Sequence, residues 1–191
     1  MTTSNTDSPR DSLTAFAGFQ RIAAGSRAEV IAQLRRRTDA QPLFVFDDAT
    51  GEPIDLDLRP GAPAASTESA APEPPPRTVG RPKLGVVARE VTLLPRHWDW
   101  LNRQPGGASV ALRKLVEDAR RINVDRDAVR ASRETSYRFM SAIAGHLPDF
   151  EEASRALFAG EQARFELFVA GWPEDVKSHL ARLSANAWTA A

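Results

Sequence analysis

The chain has 191 residues, 42% of them apolar, with no cysteine and with 25 basic and 25 acidic side chains that cancel at neutral pH. That length makes one domain or two small ones around a sizeable core, and the missing thiols exclude a disulfide framework, a thiolate nucleophile and Cys-ligated zinc or iron–sulfur sites. No apolar run approaches the ~18 residues that cross a bilayer, and Met1–Asp11 lacks a signal-peptide core, so a cytoplasmic protein without a membrane partner is expected.

In chain order, residues 1–11 form a polar tail. Residues 12–59 follow as a small α+β unit of ββαββ-like order. Its first hairpin is predicted from the two apolar runs either side of Ala17-Gly18. A helix begins at Ser26, whose hydroxyl and Glu29 three residues on have capping-box spacing, with Val30, Ile31 and Leu34 on one face. Arg35, Arg36 and Arg37 fall in its last turn, at the negative end of the helix dipole. The run Leu43–Phe46, the turn from Asp47 to Gly51 and the alternation Ile54, Leu56, Leu58 predict a second hairpin.

Residues 60–79 contain Pro60, Pro63, Pro72, Pro74, Pro75 and Pro76, which can sustain neither ladder nor helix, so this stretch reads as an extended linker. Charge turns basic here: residues 77–121 hold ten Arg or Lys against four Asp or Glu, whereas 1–60 hold seven against nine and 122–191 eight against ten. One basic block in a neutral chain is a local electrostatic footprint for nucleic acid or for an acidic protein partner.

Within residues 80–122, Arg77–Gly85 reads as a basic arm and Val86–Leu94 as a short strand. Pro95 opens a helix through about Gln104, and Pro105-Gly106-Gly107 breaks it. A second helix capped by Ser109 carries Leu112, Leu115, Val116, Ala119 and Ile122 on one side, with Arg113, Lys114, Glu117, Arg120 and Arg121 elsewhere. Trp98 and Trp100, two apart, cannot share a helix face; one belongs to a local core and the other to a neighbouring subunit or to the C-terminal helices.

Residues 123–188 are expected to be mainly helical. A helix over Asp125–Gly145 turns Tyr137, Met140, Ile143 and Ala144 inward. A second, with Asp149 and Glu152 at capping-box spacing, uses Ala153, Leu157 and Phe158 and stops at Gly160. A third uses Phe165, Phe168 and Val169, and a last one begins at Pro173 with Val176, Leu180 and Leu183. Aromatic residues at helical spacing are expected in the core.

No enzyme motif is present: no phosphate loop ending in Lys-Ser/Thr, no G-x-S-x-G, no H-E-x-x-H. His97, His146 and His179 lie on separate predicted elements, which gives no metal spacing. Asp47 and Asp48 read as turn residues, and Asp55 and Asp57 as the wet face of a strand. The expectation is a protein that is not an enzyme, with no catalytic, metal or cofactor site.

Two resemblances bear on the basic block. Strand, short helix, glycine turn and amphipathic helix together resemble the ribbon-helix-helix fold, with Leu94-Pro95 as its strand-to-helix junction. That likeness implies a homodimer on duplex DNA with Arg89, Val91 and Leu93 at groove-reading positions, or Val91 and Leu93 as core if the alternation is inverted. Gly80-Arg81-Pro82-Lys83 resembles the core of an AT-hook, which implies minor-groove contact by Arg81 and Lys83. Lys83, Arg96, Arg113 and Lys114 would then hold phosphates, giving modest sequence specificity. The alternative is an interaction or scaffolding protein, with Val91, Leu93, Trp98 and Trp100 at the interface.

The whole chain is similar to the uncharacterised bacterial family DUF2239. The stretches that carry the likeness include Leu43–Gly51, Gly80–Leu101, Gly106–Arg121, Phe150–Gly160 and Ala170–Val176. The family implies no activity, substrate or partner.

Overall fold

A computed structural model describes residues 12–37, 41–59, 87 and 89–188. The tail 1–11, the linker 60–79 and the arm with Arg81 and Lys83 lie outside the described residues. The architecture is α+β, and the chain divides into two compact units, residues 1–65 with 124–191, and residues 66–123.

The first unit is built on a three-stranded antiparallel sheet in the order β2-β1-β3, with β1 Ser12–Ala17, β2 Gln20–Ser26 and β3 Leu43–Asp47. The β1–β2 hairpin turns through Gly18-Phe19, with Gly18 at φ 56°, and a bulge sits between Ala15 and Phe16. β1 is central and both of its faces are covered, which is why Leu13 to Ala17 are all buried. Leu13 and Ala15 face one way, with Val45, and pack with Val30, Ile31 and Leu34 of α1, Arg27–Leu34. Phe16 faces the other way, with Phe46, into the helical layer.

The capping box at Ser26 is present: its backbone N–H donates to the Glu29 carboxylate at 2.8 Å, and the Glu29 N–H donates back to the Ser26 hydroxyl at 3.4 Å. Donation first from the Ser26 N–H and then from its hydroxyl holds the Glu29 carboxyl below its ordinary pKa. The helix ends at Leu34, one residue short of the arginines, so these do not serve its last turn. Arg35 instead donates to the carbonyls of Leu58 and Arg59.

That use of Arg35 corrects the expected fourth strand. After β3 the chain makes one bridge, Phe46 to Pro53, held by Ile54 N–H to the Val45 carbonyl at 2.7 Å and Asp47 N–H to the Glu52 carbonyl at 3.0 Å. The ladder then stops, because Pro53 has no N–H to donate and the carbonyls at 58 and 59 are taken by a side chain. The alternation still has an apolar side: Leu56 is buried in the α1 cluster, with Ile54 and Leu58 half-buried against it.

The second unit contains α2, Pro95–Asn102, opened by Pro95 at its first turn as its fixed φ favours. Gly106 and Gly107, at φ 84° and 76°, lead into α3, Gly107–Ala144. The expected strand over 86–94 is not formed: Val87 and residues 89–94 belong to no strand. The Ser109 cap is also superseded, since the helix already starts at Gly107.

Two expected helices, one ending near Ile122 and one starting at Asp125, are a single helix. Between Ala108 and Ala144 there is neither glycine nor proline, so nothing in the backbone stops the helix where the apolar stripe ends near Asn123. Its last third turns Phe139, Met140, Ile143 and Ala144 into the core with α4, Phe150–Ala159, α5, Gln162–Val169, and α6, Glu174–Leu183.

Asp149 does not cap α4. It sits at φ 60°, which carries its carboxylate away from the first-turn N–H groups. Gly160 ends α4 in the left-handed conformation as expected. Tyr137 and Phe158, expected inward, are exposed and meet each other at 5.4 Å. They stand one position off the stripes centred on Ser136–Met140 and Ala153–Leu157, about 100° around each helix.

Candidate functional site

Among the described residues of the second unit, only Leu101 and Ala111 are buried. Val87, Val91, Leu94, Trp100, Val116 and Ile122 are exposed, Val116 by 54% and Ile122 by 78%, with Trp98 at the edge of exposure and Leu93 half-buried. α2 points Leu101 inward and leaves both tryptophans outward, so neither occupies a local core. This apolar exposure is dense for so short a stretch, and it is the kind of surface that folded proteins use for association.

Around it lie the basic residues singled out above. Arg89, Arg96, Arg113 and Lys114 are all exposed. Arg113 Nε donates to the Ser109 carbonyl at 3.0 Å, and Arg103 Nε to the Asp99 carbonyl at 2.9 Å. Arg120 and Arg121 pair along the helix with Glu117 at 3.0 Å and Asp118 at 3.8 Å. The positive charge is therefore partly neutralised on α3. With residues 89–94 unpaired and α3 running on for 38 residues, the segment departs from a ribbon-helix-helix, whose paired strands form the reading surface.

A second constellation, in the first unit, escapes sequence reading. The turn after β3 is held by Asp47, which accepts from the N–H groups of Ala49 and Thr50. Asp48 stands in the same turn, but its side chain points the other way. It accepts from the Ser12 hydroxyl at 2.8 Å and from Arg182 at 3.0 Å, with His179 Nε2 at 3.7 Å. His179 is fully buried on α6, with the rings of Phe139 and Phe16 at 4.5 and 5.4 Å.

Burial pushes the His179 imidazole down to about 4; Asp48 opposes this, and Arg182 and Arg21 add to it. It is thus neutral at pH 7, and neither ring nitrogen has a hydrogen-bond partner among the described residues. The one legible sign was spacing: His179 stands three residues after Val176 and one before Leu180, on the apolar face of α6.

A cleft of about 380 Å³ opens beside this group, lined by Asp48, Ser132, Thr135, Arg182 and Asn186 among others. The hydroxyls there are occupied: Ser132 donates to the Leu183 carbonyl at 2.6 Å and Thr135 to the Ala49 carbonyl at 3.1 Å. His179 has no exposed surface, and both hydroxyls donate within the fold. Among the described residues, no three His, Cys, Asp or Glu side chains gather as metal ligands would. Chemically the cluster is a polar joint between β1, the 47–52 turn and α6.

The model of one family, described as an uncharacterized protein conserved in bacteria (DUF2239), matches residues 12–184. The chain belongs to that family. No curated protein and no solved structure matches it. The match spans both units, so for this DUF2239 member the exposed helical unit is as much part of the family's extent as the packed one.

Proposed function

We propose that this DUF2239 protein is a non-enzymatic binding protein whose working surface is the helical unit over residues 87–123, and that it binds another protein. The observation that carries this reading is the exposure of Val91, Leu94 and Trp100, with Trp98 beside them, next to Arg89, Arg96 and Arg103. Tryptophan and arginine dominate the binding energy of protein interfaces, and an apolar centre with a charged rim is their usual anatomy. The rim holds three arginines against Glu90 and Asp99, so the matching partner has an apolar patch bordered mainly by acidic groups, as an acidic protein partner would.

The test is affinity capture with the full chain and with Trp100→Ala combined with Arg96→Glu. The same protein should be captured by the first and lost at least tenfold with the second. Equal recovery by both would place the interaction elsewhere and overturn the reading.

One observation favours duplex DNA as a second reading: Arg89, Arg96, Arg113 and Lys114 are exposed in a block that also contains Arg81 and Lys83. Fluorescence anisotropy on AT-rich and GC-rich duplexes separates the two. Under the DNA reading, affinity falls steeply with salt and again in Arg81→Ala/Lys83→Ala. Absence of binding at low salt, where phosphate attraction is strongest, leaves the protein reading alone.

A further inference from the structure

A cleft of about 550 Å³ opens where the middle of α3 meets the end of α4 and the residues after α6, wholly within the first unit. Its apolar lining is Val129, Phe158, Ala159 and Trp188, with the Trp188 ring set against Phe165 at 5.1 Å. α3 supplies its charge. At about 100° per residue, Arg126 and Arg133 fall on one line, with Asp125 and Glu134 about 90° to either side. Counted in full, the lining holds three arginines, Arg130 being the third, against these two acids. Arg130 is paired with Asp127 at 2.8 Å and Glu134 with Arg138 at 3.9 Å, while Glu161, beyond the rim, is paired with Arg164 at 2.7 Å. That leaves Arg126 and Arg133 along the middle and Asp125 at one border.

The two central arginines differ in kind. Arg133 is fixed: its Nε donates to the Ala187 carbonyl at 3.0 Å and its Nη1 to the Phe158 carbonyl at 3.1 Å. Its Nη2 lies so close to Gly160 that a Cβ there would come within 2.5 Å. The other N–H groups of the fork have no acceptor among the described residues. Arg126 is exposed, with neither hydrogen bond nor ion pair among the described residues. Its Cα stands about 10 Å along the helix from that of Arg133, so one anion can meet both side chains.

We propose that this cleft binds a small aromatic carboxylate, its ring against Phe158 and Trp188 and its carboxylate on Arg133 and Arg126. A planar guanidinium matches a carboxylate through paired N–H groups, and one already held in place loses little freedom on binding. The volume is that of a small-molecule site. The negative end of α4 does not oppose the anion, because the carbonyls of Ala156, Leu157 and Phe158 already accept from Glu161, Gly160 and Arg133. The site lies apart from residues 87–123 and does not depend on the reading of them as a protein-binding surface.

The test is an NMR titration of the full chain with naphthoate, read at the Trp188 indole N–H, which Trp188→Phe identifies by its loss. That signal should move and saturate below about 1 mM. Naphthalenemethanol, which keeps the rings and lacks the charge, should bind at least tenfold more weakly. Arg126→Glu should weaken naphthoate at least tenfold and leave the melting temperature within a few degrees, since Arg126 holds nothing in the fold. A Trp188 signal that stays in place overturns the proposal, as does equal affinity for the alcohol or in Arg126→Glu. Movement confined to the Trp98 and Trp100 signals places the aromatic on the other unit and overturns it as well. The capture experiment above, whose variants lie on α2, is unaffected by any of these results.

Discussion

His179 is a histidine where a hydrocarbon would serve the packing better, and its cost appears only in acid. Its folded-state pKa is lowered to about 4, against an ordinary value of 6.5, so between those values the unfolded chain holds a proton that the native chain does not. Stability is then complete above about pH 6.5 and falls as pH drops through 4. The full window corresponds to roughly 3 kcal/mol. Urea unfolding at pH 7, 5.5 and 4.5 should show this decline in the native protein and a shallower one in His179→Gln. Parallel declines would show that another group sets the acid limit. Asp48 supplies the opposing pull, so Asp48→Asn should leave the onset of the decline near pH 6.5 and extend it further into acid, through a further drop in the His179 pKa readable by NMR.

The 47–52 turn approaches α3 closely. Gly51 has φ 70°, and a Cβ placed there would lie 2.1 Å from the Thr135 carbonyl oxygen, with the Thr135 hydroxyl and Arg138 donating to Ala49 and Thr50 on the same turn. Gly51→Ala should therefore cost about 2–4 kcal/mol, from the left-handed backbone plus the forced separation of turn and helix. A loss below about 0.5 kcal/mol in denaturant unfolding would mean that the turn docks loosely. The turn itself was legible, since Asp-Asp-Ala-Thr-Gly has turn chemistry, but its destination was not. Local rules placed β1, β2, α1 and the four C-terminal helical stretches because each depends on neighbours in sequence. They failed where a distant group intervened, with Arg35 taking the carbonyls of 58 and 59 and the Asp48 side chain turning to α6, and at α3, where the end of an apolar stripe does not end the helix. Of the residues expected at a site, Arg89, Arg96, Arg113 and Lys114 are exposed as contact residues must be, while Val91 and Leu93 have no strand to sit on.

At the scale of the chain, burial is divided very unequally. Both hydrophobic clusters belong to residues 12–59 and 124–188, and the described part of the second unit adds only Leu101 and Ala111. Two buried side chains in that described part contribute little stability, because apolar burial is the term that offsets chain entropy. The first unit, by contrast, holds the sheet, α1, α4, α5, α6 and the inward-facing end of α3. Replacing residues 61–123 by a flexible Gly/Ser linker should accordingly leave a protein that folds cooperatively, with the near-UV signal of Trp172 and Trp188 retained and the melting temperature within a few degrees of the parent. The same deletion should abolish partner capture. If it unfolds the remainder, the packed unit depends on the helical one for stability. Residues 87–123 would then owe their place in the chain to packing, and the assignment of binding to them would lose its main support.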